Sequence, residues 1–176
     1  HETHGLTEEH AAAVRRLDTA GASPVARRNL AWSPDDELVY EGFNEDFGPL
    51  NLACTARFCR RVAELRAKAR EGGGGKAVYI YTRNSPHARA NCAVLLGAYL
   101  VLHMEQTPET AYARLESLKP FAPFRDASCM ASTFSLTVLD CLRGLQRGAA
   151  VGHIDFHRPG SKFDADEYER RERVEN

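Results

Sequence analysis

The chain has 176 residues, 43% of them apolar, and a formal net charge of −1. This length accommodates one domain with a hydrophobic core rather than two, and the balanced charge gives no indication of binding to nucleic acid or to an anionic membrane. No apolar run reaches the roughly 18 residues of a membrane-spanning helix, and no signal-peptide pattern opens the sequence, so we expect an intracellular protein.

The five cysteines predict neither a disulfide framework nor a metal site. Their number is odd, no two have the CxxC spacing of a zinc-ligand pair, and no histidine lies at ligand spacing from a cysteine. Four of them fall on apolar faces of predicted helices: Cys54, Cys59, Cys92 and Cys141. We therefore expect reduced, buried thiols, no metal and no cofactor.

The first half of the chain predicts one strand and one long helix. Residues 1–31 are assigned to a partly ordered N-terminal extension, with a short helix at residues 8–18. Residues 37–40 (ELVY) predict a strand between two turn signals. Pro49 marks a first helical turn, and the helix ends before the glycine run 72–75. Its apolar face recurs at helical spacing: Leu50, Cys54, Phe58, Val62 and Leu65.

The second half predicts one strand and several helices. The β-branched and aromatic residues 78–82 indicate a buried strand, and a helix follows from Arg89. Thr107 and Pro108 have the character of an N-cap and a first helical position. Periodic apolar positions indicate a helix at residues 133–151, and a polar helix closes the sequence. Before that last helix the order β, α, β, α, α, α predicts an α/β fold with a central sheet flanked by helices.

Residues 76–104 have the layout of a phosphatase active-site loop without its nucleophile. A strand that leads through a tight turn into a helix points backbone N–H groups at one place, where they can hold an anion. Cysteine phosphatases use this layout with Cys at the opening of the loop and Arg at its close. Here Arg89 fits the closing position, but Arg83 stands at the opening, and guanidinium cannot attack phosphorus. The alternative is an ordinary turn with solvated arginines.

The string CLRGLQR, from Cys141 to Arg147, satisfies the phosphatase signature Cys-x-x-Gly-x-x-Arg. In an active loop Cys141 would be a thiolate nucleophile, activated by the loop amides and by Arg147. The context favours a position inside a helix, because the preceding residues keep helical periodicity and Asp140 would oppose thiolate formation. The active interpretation stays open as the alternative.

Two further pairs of charged residues have structural or functional interpretations. Arg125 and Asp126 are adjacent, and we expect a buried ion pair that fixes their loop. Glu169 and Glu172 lie about one helical turn apart and share a face. They form either an acidic strip or part of a solvated helix whose arginines compensate the charge.

A family resemblance is carried by seven strings in matching order: LVYEGF, DFGPLNLA, RANCAVLLGAYLV, TPETAYARL, PFRDAS, LTVLDCLRGLQRG and DEYERRERVEN. From about Glu37 to Asn176 the chain closely resembles the N-terminal domain of the cell-division-cycle-fourteen dual-specificity phosphatases. The resemblance implies two phosphatase-like folds in tandem, the first of which lacks the catalytic cysteine loop. Residues 32–162 would then be a phosphatase-like, non-catalytic domain, and residues 163–176 a linker helix toward a catalytic domain.

The resemblance also implies roles for particular residues. It places Cys141 in a helix and makes Arg83 and Arg89 the remnant of a phosphate loop. It implies that three carboxylates face a substrate groove: Glu169, Glu172 and Asp166. The implied partners are the catalytic phosphatase domain of the same polypeptide and phosphoproteins with a phosphoserine-proline site and a nearby basic residue. The implied sites of action are the nucleus, the nucleolus, the cytoplasm and cytoskeletal or centrosomal structures.

These observations give three hypotheses of function. The favoured one is a non-catalytic, substrate-orienting (pseudo-phosphatase) domain of an intracellular protein phosphatase. The second is a self-sufficient cysteine phosphatase that uses Cys141 and Arg147. The third is a free-standing phosphate- or phosphopeptide-binding module that uses Arg83 and Arg89.

Overall fold

The computed structural model describes residues 29–71 and 76–155. The elements in chain order are β1 (Leu30–Trp32), α1 (Leu52–Glu71), β2 (Val78–Ile80), α2 (Pro86–His103), α3 (Pro108–Arg114), a 3-10 turn (Glu116–Leu118), β3 (Phe124–Arg125), β4 (Ser135–Leu136) and α4 (Val138–Ala150). This mixture agrees with the predicted α/β class, and β1 lies across the predicted boundary between residues 31 and 32. The predicted helices at residues 8–18 and 163–176 lie outside the described residues.

Within the described residues the strands form two small sheets. β1 and β2 pair in parallel, and β3 and β4 pair antiparallel. A parallel pair requires a crossover connection, and α1 supplies it here. The described part of the predicted central sheet therefore consists of β1 and β2.

The prediction of a strand at residues 37–40 is wrong. The backbone turns at this point, with the Leu38 N–H donating to the Pro34 carbonyl over 2.8 Å. Leu38 is buried, and the neighbouring Glu37 accepts a hydrogen bond from the indole N–H of Trp32 at 2.8 Å. The apolar pattern therefore reflects one buried side chain in a turn, while the strand that pairs with β2 precedes it.

α1 is the long helix predicted before the glycine run. Asn51 precedes it, and its Oδ1 accepts a hydrogen bond from the Cys54 N–H at 2.8 Å, as a capping side chain does. The buried face contains the predicted positions Cys54, Phe58, Val62 and Leu65. The fully buried Phe58 ring lies against Trp32 with 5.5 Å between the ring centroids. α1 packs on β1 through this contact.

α2 is the central helix of the described fold, because its two sides face two different cores. Leu95 and Tyr99 pack with β1 and α1. The opposite side packs with α3, β3 and α4 through four small or branched residues: Ala90, Ala93, Val94 and Ala98. A helix that is apolar around most of its circumference is an enclosed helix. α2 begins at Pro86, three residues before the predicted start, with proline in the first turn.

α4 begins later than the sequence predicts. Thr137 is its N-cap: its hydroxyl accepts a hydrogen bond from the Asp140 N–H at 3.2 Å, while Asp140 Oδ2 accepts one from the Thr137 N–H at 3.0 Å. This reciprocal capping box fixes the first helical residue at Val138. Phe134, predicted on the helical face, precedes the helix and is 64% exposed.

In the part of the chain that the structure describes, no helix is both long and apolar enough to cross a membrane.

Asp46 fixes the segment between β1 and α1. Its carboxylate accepts hydrogen bonds from the Tyr40 hydroxyl at 2.5 Å and from the N–H groups of Phe43 and Asn44 at 2.9 and 2.7 Å. The bond from Tyr40, followed by that from Asn44, lowers the pKa of Asp46. Burial, followed by the bond to Asp46, raises the pKa of Tyr40 to about 12.

We expect the contribution of Asp46 to stability to depend on pH. A carboxyl whose pKa is depressed by folding stabilises the fold above its unfolded pKa of about 3.9. That contribution is lost as the pH falls through the lower folded pKa. Asp46→Asn should therefore lower the thermal midpoint at neutral pH, and the gap to the parent protein should close as the pH drops below about 4. A gap that stays constant over a pH series would show that the charge of Asp46 contributes nothing.

Candidate functional site

The candidate site lies where β2 leads into α2, in the strand–loop–helix layout that the sequence predicts. The Tyr81 N–H donates to the Trp32 carbonyl at 3.2 Å, which extends the contact with β1 beyond β2. Ser85 is the extended N-cap of α2 (φ −129°, ψ 136°), and its N–H donates to the Arg83 carbonyl at 2.8 Å. The first N–H groups of a helix have no partner within the helix, so this is the backbone layout that the anion-binding hypothesis requires.

A carboxylate of the chain itself anchors the opening of the loop. Asp35 Oδ1 accepts a hydrogen bond from the Thr82 hydroxyl at 2.7 Å, and Oδ2 accepts one from the backbone N–H of Arg83 at 2.6 Å. The Arg83 guanidinium donates to the Asp35 carbonyl at 2.9 Å and pairs with the carboxylate at 3.3 Å. The Asp35 side chain is 9% exposed and that of Arg83 69%. Asp35 thus occupies donors that a bound anion would otherwise use at this end of the loop.

Sequence reasoning missed Asp35. It lies 48 residues before Arg83, in a turn signal, and nothing in the local pattern connects it with the loop. Only the pairing of β1 with β2 brings the turn after β1 beside the loop after β2.

Arg89, at the other end of the loop, has a different environment. Its backbone N–H donates to the Ser85 carbonyl at 2.9 Å, as part of the first turn of α2. The residue is half-buried. Across residues 29–71 and 76–155, no ion pair engages its guanidinium. The structure therefore ties Arg83 to the fold and leaves the charge of Arg89 without a compensating carboxylate among the described residues.

The start of α2 is held against the segment before α1. The exposed His87 ring stacks on Phe47, with ring centroids 3.9 Å apart and planes 7° from parallel. The Asn91 side-chain amide donates to the Phe47 carbonyl at 2.6 Å. Next to Phe47, Gly48 has a positive φ of 157°, and a Cβ there would lie 2.8 Å from the Phe124 ring. Glycine is therefore required for this close approach.

Cys141 lies in the first half of α4, as the context of its signature predicts. Its backbone N–H donates to the Thr137 carbonyl at 3.1 Å, inside the capped first turn. Burial, followed by the nearby charge of Asp140, raises the pKa of Cys141 to about 11. A position near a helix N-terminus ordinarily lowers a thiol pKa, but here these two opposing effects outweigh it.

The other residues of the signature do not form a loop around Cys141. Gly144 is inside α4, and a Cβ built there would meet nothing within 4 Å, so no close approach requires a glycine. Arg147 lies in the last turn of the same helix. It lies six positions after Cys141, which places the two residues about 9 Å apart along the helix axis. The arrangement lacks the strand–loop–helix geometry that cradles a phosphate.

Three other cysteines are buried, as the sequence predicts: Cys54, Cys59 and Cys92. Burial raises the pKa of Cys59 to about 12, and burial followed by the charge of Asp35 raises that of Cys92 to about 12. Cys129 is exposed. Among the described residues, no group of three or more His, Cys, Asp and Glu side chains is arranged to hold a metal ion.

The prediction of an ion pair between Arg125 and Asp126 is wrong. The Arg125 guanidinium pairs with Glu45, 80 residues earlier, and it donates to the Met130 carbonyl at 3.2 Å. Adjacent residues in an extended segment point their side chains to opposite faces, which explains why Arg125 does not pair with its neighbour.

The three carboxylates predicted in a substrate groove, Glu169, Glu172 and Asp166, lie outside the described residues. Their role stays a prediction.

A family model described as the N-terminal half of dual specificity protein phosphatases matches residues 19–148. The chain therefore belongs to the family of dual specificity protein phosphatases and matches their N-terminal half. This agrees with the resemblance found in the sequence.

Its relatives include the dual specificity protein phosphatase CDC14A of Mus musculus, which is 48% identical over 147 residues, covering 82% of this chain and 23% of the relative. CDC14A of Homo sapiens is 47% identical over 147 residues, with 82% and 24% covered. The tyrosine-protein phosphatase CDC14 homolog of Schizosaccharomyces pombe is 38% identical over 143 residues, with 81% and 26% covered. The chain thus spans about a quarter of the length of these relatives.

Proposed function

We propose that this chain is the non-catalytic, substrate-orienting domain of a dual-specificity protein phosphatase. The observation that carries the proposal is the position of Cys141. It is the only cysteine in the sequence that begins a Cys-x-x-Gly-x-x-Arg string, and it lies in a capped helix with a raised thiol pKa. A cysteine nucleophile requires a thiolate within a ring of N–H donors, and this cysteine has neither feature.

In this proposal the loop from Arg83 to Arg89 is a degenerate phosphate loop. Its backbone layout supports that assignment, and so does the arginine at its close. The opening position, where a nucleophile would stand, has Arg83 bound to Asp35. The loop then serves to join β2 and α2 rather than to carry out chemistry.

The recognition function is assigned to the C-terminal part of the chain. Glu169, Glu172 and Asp166 are proposed to line one side of a groove that a catalytic domain of the same polypeptide completes. Paired carboxylates supply the charge opposite to that of a basic substrate residue. The proposed substrates are intracellular phosphoproteins with a phosphoserine-proline site followed by Lys or Arg. The proposed function involves no nucleic acid, membrane, metal or cofactor.

The test is a charge reversal in the full-length phosphatase. Glu169→Lys together with Glu172→Lys should raise the KM for phosphopeptides with Lys or Arg after the proline. Carboxylates in a partly desolvated cleft discriminate by about one to a few kcal/mol, so kcat/KM should fall by roughly fivefold to a few hundredfold. Turnover of p-nitrophenyl phosphate should stay nearly intact, because so small a substrate does not reach the carboxylates.

A matched substrate makes the test selective. A phosphopeptide with Ala in place of the basic residue should be hydrolysed almost equally by the parent enzyme and the variant. An equal loss on the peptides and on p-nitrophenyl phosphate would mean that the helix has a structural role only. Unchanged kinetics on every substrate would mean that the carboxylates are only a solvated face.

A further inference from the structure

Serine or threonine directly precedes proline at four places in the sequence, which is half of its eight prolines. Such a pair is the dipeptide that proline-directed protein kinases recognise. Three of the pairs lie in the described part of the chain: Ser33-Pro34, Ser85-Pro86 and Thr107-Pro108. Their surroundings differ, so the structure distinguishes the hydroxyl that a kinase can reach from those that it cannot.

The hydroxyl groups of Ser33 and Thr107 are engaged in the fold. Ser33 Oγ accepts a hydrogen bond from the backbone N–H two residues later at 3.3 Å, and Pro34 is buried. Thr107 is the N-cap of α3, where its hydroxyl accepts a hydrogen bond from the Thr110 N–H at 3.2 Å, and Pro108 is fully buried. A kinase reaches neither pair unless the structure opens locally.

Ser85 is held less tightly. It is the N-cap of α2, but its side chain makes no capping hydrogen bond within this described helix, and its backbone is extended, as that of a peptide in a kinase cleft is. Its neighbours on both sides are exposed: Arg83, Asn84, Pro86 and His87. The Ser85 hydroxyl is therefore the best placed of the three for phosphoryl transfer.

We propose that Ser85 is a phosphorylation site for a proline-directed kinase, and that its phosphoryl group occupies the loop between Arg83 and Arg89. The transfer forms a bond between Ser85 Oγ and the γ-phosphorus of ATP, and it breaks the bond from that phosphorus to the β–γ bridging oxygen. ADP leaves, and the hydroxyl proton passes through the base of the kinase to solvent.

The charges of this loop favour a phosphoryl group on Ser85. Arg89 lies one helical turn later, with its N–H donating to the Ser85 carbonyl at 2.9 Å, and no ion pair engages its guanidinium among the described residues. A phosphoserine brings about two negative charges and three acceptor oxygens, which an arginine and helix N–H groups can bind. The nearby Asp35 carboxylate is already bound to Thr82 and Arg83, so its charge is compensated.

The first test measures where the folded chain is phosphorylated and how fast. The 176-residue chain is incubated with a proline-directed kinase and Mg²⁺–ATP, and its phosphopeptides are quantified by mass spectrometry. A short synthetic peptide for each pair gives the rate without the fold. After each rate is divided by that of its peptide, Ser85 should be modified at least about tenfold faster than Ser33 or Thr107.

The second test measures the stability of the phosphorylated chain. It uses a Ser23→Ala variant, so that the fourth pair, which lies outside the described residues, is not modified. Phosphorylation of Ser85 should raise the thermal midpoint by about 2 to 8 °C, because it adds charge-assisted hydrogen bonds at the start of α2. Arg89→Gln should remove most of this rise without preventing phosphorylation. Arg60→Gln, at an exposed arginine of α1, is the matched control and should leave the rise unchanged.

Three results would overturn the proposal. No phosphorylation of Ser85 in the folded chain, whether or not its peptide is modified, would show that it is not a phosphorylation site. Equal normalised rates at the three pairs would show that the fold does not single out Ser85. A midpoint that does not rise, or a rise that persists in the Arg89→Gln variant, would show that the phosphoryl group does not occupy the loop.

Discussion

Replacing Leu142 with alanine should destabilise the chain by about 2 to 5 kcal/mol, because it leaves a cavity at the centre of the fold. Leu142 is fully buried where α4 packs against α2. Its two δ carbons would lie 2.6 and 2.7 Å from a Cβ built on Gly97. Its side chain therefore fills the space that the glycine leaves on α2, and that space cannot close when the side chain is removed.

Thermal unfolding measures this effect. For a chain of this size the expected loss lowers the midpoint by about 4 to 20 °C, in a single cooperative transition. Leu136→Ala is the matched control, because the same chemical change at a side chain 36% exposed should cost less than about 1 kcal/mol. Equal losses in the two variants would contradict the packing of α2 on α4.

Gly97 gives a sharper version of the same test. Alanine is a better helix former than glycine, yet Gly97→Ala should destabilise the parent chain, because the new methyl group would collide with Leu142. In the Leu142→Ala background the methyl group enters the vacated space and should be neutral or stabilising. Additive effects in this double-mutant cycle would show that the two residues do not contact each other.

The sequence predicted the helices better than the strands, for physical reasons. α1 and α2 have long apolar periodicities, and Thr107 caps α3 as predicted, accepting a hydrogen bond from the Thr110 N–H at 3.2 Å. The predicted α4 was too long because the apolar periodicity of the helix continues back into the residues around β4. The capping box at Thr137 marks where the helix begins. The strands have only two or three residues, which is too short for a pattern of alternation to stand out.

The candidate site was predicted in its layout but not in its contacts. The order of strand, loop and helix followed from local patterns, and so did the helical position of Cys141. The ion-pair partners of the arginines could not be predicted from local patterns, because Asp35 lies 48 residues from Arg83 and Glu45 lies 80 residues from Arg125. Such pairs depend on how the elements pack, and no local rule of sequence encodes them.

The second large effect that we expect is the absence of phosphatase turnover by this chain. A thiol with a pKa of about 11 is ionised to roughly one part in ten thousand at neutral pH. Cysteine nucleophiles instead have depressed pKa values, and each well-placed oxyanion donor contributes about a hundredfold or more in rate. Cys141 has no such surroundings in α4, so we expect it to supply neither the nucleophile nor its stabilisation.

The central claim, that this domain supplies no phosphatase chemistry of its own, is tested most directly by p-nitrophenyl phosphate hydrolysis. The initial rate is measured for the 176-residue chain, for its Cys141→Ser variant and for buffer alone. We predict that all three rates are the same. Turnover by the chain that disappears on Cys141→Ser would contradict the claim and would identify the domain as a self-sufficient cysteine phosphatase.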